Sequence, residues 1–273
     1  DPALAAQLAA MGLDPSVIAQ MQAMGLSPEQ MRAMINVGTA TNSAPWEAVD
    51  SWVVDMVVTA SGSGTEQPNP RDRLAETYSV RITASVPITY GTPALGAQQG
   101  PAWQLVPTLG SDRALAQPFS FSGSAEYHSE LDRAAGCEIQ EDAFRAVRDA
   151  RISAEVRTTD HSSVAFMGSA ARLQISGDLT SYNLGAGAGA TGSEVTTTVN
   201  TEMGSCPNMQ RTSTTETETR ERSLSASFDL TDLPLPASPG TMRGSNTVPI
   251  RFAFGGFDGE LDAQVEWTLR PIQ

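Results

Sequence analysis

The sequence predicts a mainly β protein, an antiparallel sandwich or barrel of about nine or ten strands, headed by a small N-terminal segment of three helices. Three observations predict it. From residue 46 onward, apolar side chains recur at every second position in one segment after another, the period of a strand with one wet face. Between those segments the chain lacks the amphipathic stretches that a parallel sheet with crossover helices requires. Before residue 40 the period is instead near that of a helix, and the chain repeats itself.

The repeat has three units of 13 residues, at 1–13, 14–26 and 27–39. Each opens on a side-chain acceptor and proline, at Asp1-Pro2, Asp14-Pro15 and Ser27-Pro28, the order of an N-cap and first helical position. Each closes on a glycine, Gly12, Gly25 or Gly38, where a helix wants a left-handed residue. Leu4, Leu8 and Met11, then Val17, Ile18, Met21 and Met24, then Met31 and Met34 fall on one stripe per unit. Helices this short are unstable alone in water, so their stripes call for burial against one another, the β region or a partner chain. Methionine pairs could also ligate Cu(I), but packing or docking is the commoner use of such residues. No cofactor is expected.

A polar connector over 39–45 leads into the β region, 46–273. Strands are expected at 52–60, 78–90, 119–127, 152–158, 173–179, 194–202, 210–221, 224–230, 248–254 and 261–269. Only 138–149 reads as a short helical insertion, and Gly256-Phe257-Asp258-Gly259 as the turn of a closing hairpin. Residues 195–201 and 212–222 are polar on both faces, so their hairpin is expected to project beyond the core. The run Gly185 to Gly192 reads as a flexible linker, and 233–239 as a stiff one.

The chain has 31 acidic residues against 17 basic ones, all arginine, for a net charge of −14. That balance opposes binding to nucleic acid or to anionic lipid. No apolar run reaches the roughly 20 residues of a membrane-spanning helix. Cys137 and Cys206 are expected to pair, and the opening on Asp1 is read as processing on export, so an extracytoplasmic location, periplasmic, cell-surface or secreted, is expected.

Chemistry is sparse. The two histidines read as a solvent-facing side chain, His128, and a turn residue, His161. The carboxylates Glu141, Asp142, Asp258, Glu260 and Asp262 lack a calcium-loop spacing and read as solvated surface. No nucleophile elbow, zinc motif or phosphate loop is present. The expectation is a non-catalytic structural or accessory subunit whose helices dock onto a protein partner or self-associate. Its alternatives are a sandwich or barrel binding carbohydrate or a small apolar molecule through Trp46, Trp52, Trp103 or Trp267, and a carboxylate-dependent hydrolase.

Overall fold

The computed structural model describes residues 44–91, 99–104, 117–137, 141–160, 170–204, 206–207 and 210–272. The nine apolar positions from Leu4 to Met34, and His161, lie outside them. From Pro45 onward the chain is one compact unit. A single helical turn, α1 (Ala44–Glu47), delivers Trp46 to the core, where it stacks on Trp52 at 6.1 Å between ring centroids.

Ten antiparallel strands follow: β1 (Ser51–Asn69), β2 (Asp72–Gly91), β3 (Gln99–Gln104), β4 (Phe119–Arg133), β5 (Phe144–Thr158), β6 (Ala170–Ser176), β7 (Ser181–Met203), β8 (Arg211–Pro234), β9 (Met242–Phe254) and β10 (Phe257–Pro271). They form one sheet, curled in the manner of a half-barrel. The order is simplest read as eight rows. Row one is β9, then β10, β1 and β2; the last two are β7 and β8. The two rows between are each made of two strands end to end. β4 pairs with β2 as far as Ser85 and β3 takes over at Thr89. Likewise β5 pairs with β7 up to Ser193, and β6 resumes at Gly187. Pro87, which has no N–H to give a ladder, stands at the break in β2.

Period-two patterning explains the curl. Val54, Met56 and Val58 of β1, Val80, Ile82, Val86 and Ile88 of β2, Phe119 and Phe121 of β4, and Ala263, Val265 and Leu269 of β10 all point inward and are buried. They share one core with Leu173, Leu184, Leu224, Ile250 and Phe252 from the remaining rows. Burial of so large an apolar face, at roughly 25 cal/mol per Å², drives the sheet to roll on itself.

Four sequence expectations are corrected. Residues 144–149 belong to β5, not a helix; Phe144, Ala146 and Arg148 alternate with Arg145, Val147 and Asp149 in register with β4 and β7. The Gly-Ala run 185–192 is the interior of β7, with Ala186, Ala188 and Ala190 buried in the core. Its glycines serve close approach rather than flexibility: a Cβ on Gly192 would lie 2.0 Å from the Ser153 carbonyl oxygen. The last hairpin turns at Gly255 and Gly256, whose φ angles are +65° and +128°, while Asp258 and Gly259 are already paired in β10. Residues 210–221 and 224–230 are one continuous strand, β8.

Candidate functional site

Strand alternation that fills the core with one parity sends the other parity outward. On the outer face of β4 these residues are Ser120, Ser122 and Ser124, then Glu126, His128 and Glu130. The three serines are small, whereas their neighbours Arg81 on β2 and Glu155 and Arg157 on β5 are long. A shallow groove therefore runs along β4. Three shallow hollows of about 480, 410 and 340 Å³ lie on this face: the first reaches across the strands from Arg157 to Asp55 and Glu266, and the other two follow β4 from Ser122 to His128 and Asp149. Hydroxyls floor the upper part of the groove, and charges of both signs wall it.

His128 closes the lower end. Its Nδ1 lies 2.8 Å from Asp149 and its Nε2 3.5 Å from Glu130. The bond to Asp149 raises its pKa, desolvation works against this, and Glu130 adds to the rise. The imidazole is thereby favoured as a cation, which suits a charge partner and opposes service as a general base. Arg145, 2.6 Å from Glu130, continues the charged row.

Three of the four tryptophans are turned away from solvent. Trp46, Trp52 and Trp267 are all buried, and Trp267 Nε1 donates to the Tyr182 hydroxyl at 3.2 Å across the interior. Trp103 lies in β3. Of the carboxylates, Asp258 pairs with Arg251 at 2.9 Å, Glu141 with Arg71 at 2.7 Å, and Asp142 accepts from the Ala143 N–H. Each is occupied as a surface ion pair or local cap.

No known family model matches the chain, and no curated protein sequence does. Hydroxyls and exposed ion pairs on a rigid sheet can hold a polar surface by hydrogen bonds.

One cluster was invisible to the sequence pattern. Glu194 of β7 is completely buried, yet it lies opposite Arg220 of β8 in the ladder. Its Oε1 accepts from Arg220 Nε at 3.0 Å and lies 3.5 Å from Arg222 Nε; its Oε2 accepts the Gly255 N–H at 2.7 Å. Desolvation pushes its pKa up, but Gly255, Arg220 and Arg222 together outweigh that and hold it below the ordinary carboxylate value. The carboxylate latches the β9–β10 turn onto β7. Only the long-range register, which no local window contains, could have found it.

The predicted cysteine pair is joined: Cys137 and Cys206 form a disulfide with their Cα atoms 5.4 Å apart. It links the β4–β5 connection to the tip of the β7–β8 hairpin. Arg71 strengthens the same end by donating to the Ala134 carbonyl from Nε at 3.1 Å. Among the described residues no helix is long and apolar enough to cross a membrane.

Proposed function

We propose that this chain is a non-catalytic extracytoplasmic subunit, in which the β region is a rigid body and the N-terminal helices dock it onto a larger assembly. We read the body as a barrel with its seam between β8 and β9, and the first 39 residues as three helices whose stripes, from Leu4 to Met34, make the contact. The observation that carries the reading is the filled interior. Where a ligand-binding barrel keeps space, this body has Trp267 bonded to Tyr182 within one cluster of buried apolar residues. The disulfide supports an oxidising compartment.

The test is co-purification under mild conditions of the full chain and of a chain lacking residues 1–38. Expected is a large species containing the full chain and a free truncated one. Recovery of the truncated chain in the same large species would remove the docking role of the helices.

A second reading rests on the outer groove along β4. Its serine floor, with Arg81 and Glu155 in the wall, suits an extended polar ligand rather than the apolar or stacked one that the buried tryptophans would have served. Chemical-shift changes at Ser122 and Ser124 on titration with oligosaccharides would favour it over the subunit reading.

A further inference from the structure

Among the described residues no strand forms a ladder with the outer edge of β8, although β9 approaches that strand at the seam; the stretch at issue, 211–222, lies towards the Arg211 end of β8, away from the connection to β9 over 235–241. Along 211–219 every residue is exposed, and Glu221 is as well. The segment 211–222 holds neither proline nor glycine. A straight edge of free N–H and C=O groups is a template for another strand unless something blunts it. Here the blunting is done by charge, and the charges are ordered.

Along the inward-facing parity, at two-residue steps, stand Glu216, Glu218, Arg220 and Arg222. Read backwards, that series is its own complement. Bring two such edges together antiparallel about an axis at Thr219, and Glu218 comes opposite the second copy's Arg220, and Glu216 opposite its Arg222. Symmetry doubles this to four oppositely charged cross-strand pairs. Neighbouring registers lack the match. Centred on Glu218 or Arg220, the ladder sets that residue against itself; centred on Thr217, it sets Glu216 against Glu218. Like charges directly opposite destabilise a sheet, so the side chains both permit one register and penalise its neighbours.

Two further observations agree. In a chain of net charge −14, the segment 211–222 is neutral, with Arg211, Arg220 and Arg222 balancing Glu216, Glu218 and Glu221. Two copies that repel elsewhere repel least here. The latch also leaves the edge open. Arg220 and Arg222 face Glu194 through Nε, and their side chains remain 37% and 38% exposed. The Gly255–Gly256 turn lies against Tyr127, Ala150 and Arg148, over β4 and β5 with β7 between it and β8.

We propose that β8 pairs edge to edge with β8 of a second copy of this chain, joining two sheets into one across a twofold axis at Thr219. The contact is made by residues of β8 and is additional to the docking proposed for the N-terminal segment.

Intermolecular cross-linking of the full chain tests the register. Residues opposite each other in an antiparallel ladder have Cβ atoms about 5 Å apart, so Thr219→Cys forms a covalent dimer on mild oxidation. Thr217→Cys, whose copies would be offset by four residues or roughly 13 Å, does not. Sedimentation of the unmodified chain supplies the second measurement, independent of any added cysteine. Expected is a dimer that weakens with added salt and at least about tenfold on Glu218→Arg, which sets like charges opposite Arg220. A chain monomeric from micromolar to millimolar concentration overturns the proposal. So does a dimer indifferent to Glu218→Arg, or cross-linking at residue 217 equal to that at 219.

Discussion

Glu194 shows how one side chain can hold together parts far apart in sequence. A fully buried carboxylate is tolerable only with partners, and here two guanidinium groups and the Gly255 N–H supply them. Glu194→Gln removes the charge but leaves both arginines facing it, so a loss of about 3 kcal/mol is expected, read as the drop in unfolding free energy in urea. The carboxylate's depressed pKa means that its contribution is present at neutral pH and lost in acid. Asp72 makes the same point with a window. Arg133 donates to it from Nε at 2.7 Å and from a terminal nitrogen at 2.9 Å, and Asn69 adds a third bond. Chiefly through Arg133, its pKa falls from 3.8 to about 2. Stability from this group is therefore whole above pH 3.8 and lost as pH falls towards about 2. In Asp72→Asn that part of the acid unfolding curve is expected to flatten, while the curve near neutrality keeps its shape.

At the scale of elements, β7 changes neighbours part-way along its length, from β6 to β5, and Gly192 sits at the change. A methyl there meets the Ser153 carbonyl oxygen at 2.0 Å and Ala154 Cβ at 2.6 Å, all of it backbone or stub with nowhere to go. Gly192→Ala is expected to cost about 3 kcal/mol. Gly64→Ala in the β1–β2 hairpin, where nothing lies within 4 Å, should stay within about 0.5 kcal/mol; thermal melts of the two variants check both. The same strand explains why the Gly-Ala run misled: composition says linker, whereas the alternation puts Ala186, Ala188 and Ala190 in the core. The segment 144–149 misled for the opposite reason, since its two faces are both half-buried and its period of two is blurred. Long strands such as β2 and β10, with clean alternation, were legible at once. The disulfide was legible from the setting of its cysteines, and it closes a loop 69 residues apart in sequence. Replacing both cysteines by serine is expected to lower stability by about 4 kcal/mol, measured by denaturation of the double variant against the oxidised parent.

Over the whole molecule, β1 pairs with β10, so the first and last strands must meet before the sheet can roll. Folding is accordingly expected to be slow for the chain's size. A chain starting at Pro45 retains Trp46 and the core cluster described here, and is expected to unfold in one cooperative step. A start beyond Trp46 would strip Trp52 of its stacking partner. The antiparallel class was readable because most rows alternate over the stretch that lines the core. Row order was not, because it depends on which edges meet, and neither Glu194 nor the groove along β4 exists until they do. The two interrupted rows carry a practical consequence. Phe119 pairs with Thr158 on one side of the break and Gln104 with Arg172 on the other, so the excursions over 105–118 and 159–169 leave from, and return to, adjacent points of a ladder already fixed on both sides. A change of length between those fixed ends is expected to leave the flanking registers in place. For protein engineering, the strand ends at Gln104 and Phe119, and at Thr158 and Ala170, are two places at which a foreign peptide can be grafted into the sheet.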